Sequence, residues 1–153
     1  MQTTELTIRV SVSEQRLDLV TGDQMLVSYP ISTSRFGLGP EAGSMKTPLG
    51  KFRVAEKIGA DVPLGTIFRS RIPLAPKDPL PPDDDLILTR ILWLDGMEDH
   101  NANTRDRFIY IHGTNHESEI GRPASHGCIR MRSTDIADLF DRVPVGTEVV
   151  IAS

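Results

Sequence analysis

The segment LTIRVSVSEQRLDLVTGDQMLVSYPI, residues 6–31, decides how this chain is to be folded. Leu6, Ile8, Val10 and Val12 alternate with polar residues. A period of two puts the apolar side chains on one side of an extended backbone, the pattern of a strand half-buried against a core. Leu17 and Leu19 open a second run, TGDQ supplies turn chemistry at 21–24, and Met25, Val27, Tyr29 and Ile31 resume the alternation. Two such runs around a short Gly/Asp turn predict a hairpin.

Outward from the hairpin, the same logic continues. STSRFGLGPEAGSMKTPLG (32–50) is rich in Gly, Ser, Thr and Pro and reads as a long loop, followed by a strand at KFRVAEK (51–57). IPLAPKDPLPPDDD (72–85) holds five prolines and cannot form a regular helix. Loops of that length inside a compact domain usually serve a function. LILTRILWLDG (86–96) and RFIYIHG (107–113) are two more strand-like runs. The one convincing helix is STDIADLFDRV, about 133–143, with Ser133 or Thr134 as its cap and Asp135 in its first turn. Ile136, Leu139, Phe140 and Val143 recur on its apolar face. PVG ends it and TEVVI (147–151) forms a last strand. The sum is a mainly β fold with one principal helix packed on it.

With 153 residues and no internal repeat or linker, residues 1–153 are expected to form a single domain. Such a domain buries roughly two thirds of its unfolded surface. A net charge of −4 with scattered basic residues argues against nucleic acid as a partner. No run approaches the roughly 20 apolar residues of a membrane span. The opening MQTTELTIRVSVSEQ lacks the basic start and apolar stretch of a secretory signal, so none is expected. One cysteine excludes an internal disulfide.

That cysteine, Cys128, lies in PASHGCIRM (123–131), behind Gly127 and His126. It can be a small buried hydrophobe, a metal ligand with His112, His116 and His126, or a nucleophile. The metal reading is weak: HGTNH (112–116) is a poor helix and lacks the glutamate of the zinc-protease motif. For a nucleophile the parts are present. His112 closes a strand, which aims its ring, and a paired imidazole can lower a thiol pKa by several units, so contact between the two would allow a thiolate–imidazolium pair. Gly127 permits a tight turn, and the amides of Gly127 and Cys128 can face a developing oxyanion. Composition and spacing alone leave the three roles open.

At these residues the chain resembles the L,D-transpeptidase catalytic domain, the YkuD-type family. The resemblance is carried by IHGT at 111–114 and SHGCIRM at 125–131. It extends to the opening hairpin, to GSMKTPLGKFRV (43–54) with its Gly–Thr–Pro–Gly pattern, and to DIADLFDRVPVGTEVVI (135–151). Arg130 stands where the family pattern often has asparagine, and the spacer from His112 to Ser125 is somewhat short.

The resemblance implies a β-sandwich-like fold of mixed sheets. It also implies Cys128 as nucleophile, His112 as general base, and the backbone carbonyl of Gly113 orienting that ring. The Gly127 and Cys128 amides become the oxyanion donors. His126 and Ser125 line or support the substrate site, and Arg130 suits a substrate carboxylate or positions the loop. No metal and no cofactor are implied.

The implied partner is the peptidoglycan stem peptide, and the implied place is the cell envelope, periplasmic or extracellular. The reaction is acyl transfer from a tetrapeptide stem to a second stem, with D-Ala released. Two alternatives stay beside it: an L,D-carboxypeptidase using water at the same site, and an inactive wall-binding homologue. The loops at 32–50, 72–85 and 95–106 are expected to shape acceptor choice, with 95–106 the best cap and Trp93 or Met97 possible contacts, although both suit ordinary core positions. Oligomeric state is not readable from the sequence.

Overall fold

The computed structural model describes residues 5–75, 77–79 and 85–153. Its strands are β1 (Leu6–Ser11), β2 (Arg16–Thr21), β3 (Gln24–Pro30), β4 (Gly50–Ile58), β5 (Ile67–Arg69), β6 (Ile72–Pro73), β7 (Ile87–Gly96), β8 (Tyr110–Thr114), β9 (Ile129–Met131) and β10 (Glu148–Ala152). One α-helix, α1 (Ser133–Arg142), sits between β9 and β10. The mainly β architecture and its single principal helix match the sequence reading. Residues 76 and 80–84 of the proline-rich segment, and 1–4 of the N-terminus, lie outside the described residues.

The opening hairpin forms as its alternation requires. β2 and β3 pair antiparallel, with Leu17 opposite Tyr29 and Leu19 opposite Val27, and Gly22 takes φ +58° at the tip. Ile8, Val10, Leu17, Leu19, Tyr29 and Ile31 are all buried on one side. Each such side chain contributes at most about 1.5–3 kcal/mol from removal of apolar surface from water.

The strands form one mixed, hydrogen-bonded network. β1 pairs antiparallel with β2 and parallel with β10, which in turn pairs antiparallel with β4. β7 pairs antiparallel with β4, β5 and β8, and β8 pairs parallel with β9. The sheet also curls back on itself. Leaving β3, Ser32 exchanges both backbone hydrogen bonds with Arg130 of β9, at 3.0 and 2.8 Å. The two ends of the network therefore meet around one core.

Helix α1 closes that core with Ile136, Leu139 and Phe140, followed by Val143, as their spacing requires. Its start differs from expectation. The cap position is Arg132, and neither Ser133 nor Thr134 caps the helix with its side chain. Instead the free N–H of Ser133 donates to the Glu117 carboxylate at 2.9 Å. An anion supplied from a neighbouring turn satisfies a first-turn donor and the positive end of the helix dipole together. The Ser133 hydroxyl is occupied by Thr89, at 2.7 Å.

Three short strands, β5, β6 and β9, were not legible as strands. At two or three residues each they show no periodicity, and pairing of β5 with β7, of β6 with β5 and of β9 with β8 is what keeps them extended.

Candidate active site

The two sides of β7 and β8 carry different chemistry. Leu92, Leu94, Ile111, Ile129 and Met131 point into the main core. The alternate residues Ile91, Trp93 and Tyr110 form a second cluster, against which Cys128 packs. Register aligns this second face across the strands: Trp93 lies opposite Tyr110, Ile91 opposite His112, and His112 opposite Arg130. His112 and Cys128 are thus on one face, at the head of a parallel strand pair. Period-two alternation on β8 and β9 produces this placement.

His112 is 2% exposed, and its Nδ1 lies 2.5 Å from the Gly113 carbonyl oxygen. A carbonyl can only accept, so Nδ1 carries the proton and Nε2 keeps its lone pair. Burial lowers the His112 pKa below the ordinary histidine range, against a rise from the Gly113 carbonyl. The imidazole is a neutral, oriented base at neutral pH. Gly113 has a second reason to be glycine. A Cβ there would come within 2.6 Å of the Leu88 carbonyl oxygen and 3.3 Å of Ile136 on α1.

The Cys128 thiol is half-buried. It donates to the Phe108 carbonyl at 3.3 Å and accepts the Tyr110 N–H at 3.3 Å. Burial pushes its pKa up to about 11, opposed by the Tyr110 N–H and by the charges of Arg130 and Arg107. Both directions run against a resting thiolate–imidazolium pair. The ring is buried and the sulfur partly so, and loss of hydration penalises their charged forms more than neighbouring charges recover. The hydrogen bonds of the sulfur go to Phe108 and Tyr110 rather than to the His112 ring, which shares its strand face.

The turn that presents the cysteine is built from hydrogen bonds across the chain. The Ser125 hydroxyl donates to the Cys128 carbonyl at 2.6 Å, and the Gly127 N–H reaches Ser125 Oγ only at a long 3.4 Å. Gly127 adopts φ +123°, which L side chains rarely adopt. Thr47, fully buried, donates its hydroxyl to the Gly127 carbonyl at 3.0 Å and accepts the Ser34 N–H at 3.0 Å. The peptide is trans, so with its carbonyl fixed on Thr47 the Cys128 N–H points to the opposite side. Sequence reasoning did not single out Thr47. Its only signal was its place in the Gly–Thr–Pro–Gly pattern.

His126 and Arg130 belong to an ion-pair cluster. Arg130 is 2% exposed and meets Asp85 at 2.9 Å and Glu119 at 3.0 Å. His126 Nδ1 lies 3.1 Å from the other Asp85 oxygen, and His116 Nδ1 lies 3.4 Å from Glu119. Of the two uses considered for Arg130, this geometry is that of a tie holding the cysteine turn to 85 and 117–119. Asp85 and Glu119, absent from the sequence reading, complete it. Desolvation opposes but does not overcome the hydrogen bonds from His126 and Arg130, which leave Asp85 below its usual pKa. Among the described residues no group of His, Cys, Asp and Glu side chains is arranged to hold a metal ion.

The 95–106 segment is anchored at Asn101 and reaches the cysteine face at Arg105, whose carbonyl accepts the Trp93 Nε1–H at 3.2 Å and whose guanidinium lies 4.8 Å from the Trp93 ring centroid. Asn101 is fully buried and donates to the carbonyls of Leu49 and Lys51, both at 3.1 Å. Trp93 packs in the cysteine cluster, whereas Met97 is exposed.

Comparison with known proteins gives one answer. Residues 5–151 match the family model of the YkuD L,D-transpeptidase catalytic domain. A putative L,D-transpeptidase, YkuD of Bacillus subtilis strain 168, is 28% identical over 144 residues, 94% of this chain and 64% of that protein. A probable L,D-transpeptidase, YbiS of Escherichia coli K12, is 56% identical over 43 residues, 28% of this chain and 14% of that protein. The chain therefore spans less than two thirds of these relatives. Among solved structures, an L,D-transpeptidase from Mycobacterium smegmatis superposes with TM-score 0.64 at 18% identity, covering 98% of this chain and 59% of that one. LD transpeptidase LdtMt1, solved in complex with imipenem, gives TM-score 0.62 at 21% identity, covering 97% of this chain and 59% of that one. At such identities the structural likeness speaks for the fold, and the family model speaks for the descent: this chain belongs to the L,D-transpeptidase catalytic domain family.

Proposed function

We propose that residues 1–153 form one catalytic domain, a cysteine-dependent peptidoglycan L,D-transpeptidase. Cys128 is acylated by a tetrapeptide stem with loss of D-Ala, and the acyl group passes to an amine of a second stem as a 3→3 cross-link. One observation carries the reading: a neutral His112, its Nδ1 proton held by the Gly113 carbonyl, shares a strand face with a free thiol.

In the first step the S–H turns from Phe108 to His112 Nε2, which takes the proton as sulfur bonds to the scissile carbonyl carbon. The Cys128 amide, its direction fixed by Thr47 through the Gly127 carbonyl, faces the resulting oxyanion, and the Gly127 N–H joins it by leaving its long bond to Ser125 Oγ. The tetrahedral adduct collapses, the C–N bond breaks, and His112 returns the proton to the departing D-Ala amine. In the second step an acceptor amine attacks the thioester, His112 accepts its proton and passes it to the sulfur as the C–S bond breaks, and Cys128 leaves as thiol. Concerted proton transfer suits a thiol with a raised pKa better than a standing thiolate does. His126 lines the site, and Arg130 acts through the turn it holds. The chemistry requires no cofactor, and its substrate places the protein in the cell envelope.

The test is incubation with defined tetrapeptide stems, read by mass spectrometry. Cross-linked dimer with D-Ala supports the proposal. D-Ala with an uncoupled product makes the protein an L,D-carboxypeptidase, and no turnover refutes both. Since LdtMt1 was solved with imipenem, covalent addition of imipenem to Cys128, absent from Cys128→Ala, is the accompanying check.

A further inference from the structure

Four arginines surround the cysteine face, and they differ in what already holds them. Arg130 is buried between Asp85 and Glu119. Arg105 is paired with Glu56 at 3.4 Å. Arg107 donates to the carbonyls of Gly39 and Lys46, at 3.2 and 2.7 Å. Arg71 alone has no anionic or carbonyl partner among the described residues. One of its N–H groups donates to the Tyr110 hydroxyl at 2.8 Å.

Arg71 is nonetheless held in place. Its guanidinium lies 4.7 Å from the centroid of Trp93 and 5.0 Å from that of Phe108, a cation–π stack on two rings. Its backbone is equally fixed. Arg69 pairs with Ile72, so Ser70 and Arg71 form the two-residue connection of the β5–β6 hairpin, at φ +49° and +67°. Both positions of such a turn favour glycine or asparagine. A long arginine in a left-handed backbone is the kind of strain that collects at ligand sites.

We propose that Arg71 is the carboxylate-recognition residue of the donor-stem subsite. The proposal rests on the transpeptidase reading and names the part of the substrate that Arg71 takes. Trp93, Tyr110 and Cys128 form a row across β7, β8 and the head of β9. Two inter-strand steps set Arg71, stacked on Trp93, on the order of 10 Å from the sulfur. An extended peptide covers that distance in roughly two to three residues. A tetrapeptide has only its terminal D-Ala beyond the scissile bond, so the bound carboxylate lies upstream, on the part of the stem kept in the thioester. A forked guanidinium with unused donors, pre-stacked and with no ion-pair partner among the described residues, is suited to that carboxylate.

The experiment compares a synthetic tetrapeptide stem with its upstream carboxyls free and the same stem with them amidated, against wild type and Arg71→Gln. Iodoacetamide, small and neutral, reports whether Cys128 is intact in each protein. Wild type is expected to acylate with the free-carboxyl stem about tenfold or more faster than with the amide, the size of one charge-assisted contact. Arg71→Gln is expected to erase that preference while alkylation by iodoacetamide stays within about twofold of wild type. An equal loss on both stems, or a preference that survives Arg71→Gln, overturns the proposal. If wild type acylates with neither stem although iodoacetamide labels Cys128, the transpeptidase reading fails. Equilibrium binding to Cys128→Ala then decides for Arg71. Binding that needs both the carboxylates and Arg71 upholds the subsite, and its absence overturns it.

Discussion

The Thr47 hydroxyl donates to the carbonyl of Gly127 across 3.0 Å, joining a loop before β4 to the turn that carries Cys128, 80 residues away. It thereby fixes one peptide plane, and with it the direction of the Cys128 N–H. Thr47→Val keeps the shape and removes the hydrogen bond. It leaves the Gly127 carbonyl and the Ser34 N–H without their partner, a cost of about 1–3 kcal/mol for each buried group. Acylation of Cys128 by imipenem or a stem is expected to slow about tenfold to a hundredfold, as when an oxyanion donor is misdirected. Thr47→Ser, which keeps the hydroxyl, is expected to stay within severalfold. Stopped-flow acylation of the two variants decides it: a valine variant as fast as wild type rules out the orienting role.

The ionisation of the site sets a specific pH response. A thiol held near 11 ionises only in strong alkali, so alkylation of Cys128 by iodoacetamide is expected to keep rising through pH 9 and 10. An ordinary thiol levels off just above about 8.5. His112 is pushed the other way, below the histidine range, and acts only while neutral. Turnover on stems is therefore expected to persist below pH ~6.5 and to fall only as pH drops through the lowered His112 pKa. Alkylation that reaches its plateau by pH ~8.5 contradicts the resting-thiol assignment.

Arg130 is buried against two carboxylates, so removing it takes the guanidinium from both and leaves Asp85 only the contact with His126 and Glu119 only that with His116 among their ion pairs given above. Arg130→Ala is expected to cost about 3–5 kcal/mol, the scale for breaking a buried ion pair from one side. That lowers Tm by roughly 6–20 °C for a domain of this size. Calorimetry checks the stability. A variant with unchanged Tm shows instead that Arg130 is not a structural tie.

Gly113 sits where a methyl group would meet the Leu88 carbonyl oxygen at 2.6 Å. Gly113→Ala is expected to destabilise the fold by about 1–3 kcal/mol through overpacking. It also shifts the carbonyl that holds His112 Nδ1, so acylation slows in protein that is still folded. Thermal melts and acylation rates measured on one preparation separate the two effects. Wild-type values for both exclude the crowding described here.

Much of the frame was legible because its signals are local. The alternation in 6–31 gave β1, β2 and β3, and the helical spacing of Ile136, Leu139 and Phe140 gave α1. β9 was not legible: three residues carry no period, and they are extended because β8 lies beside them. The helix start was misassigned for a similar reason. Ser133 and Thr134 are good capping residues by type, but the Glu117 carboxylate arrives from a turn 16 residues earlier and takes the Ser133 N–H.

By itself the sequence determined the β-rich class and the position of the helix, because side-chain periodicity is written along the chain; residue type singled out His112, Gly127 and Cys128 as candidates, and the family resemblance added Gly113. Tertiary structure alone decided the burial that raises the thiol pKa, the capture of Arg130 by Asp85 and Glu119, the hold of Thr47 on Gly127, and the placing of Arg71 over Trp93. Each of these depends on how much water is excluded from a group, or on a partner far away along the chain. Burial and long-range hydrogen bonding exist only once the sheet has curled and closed.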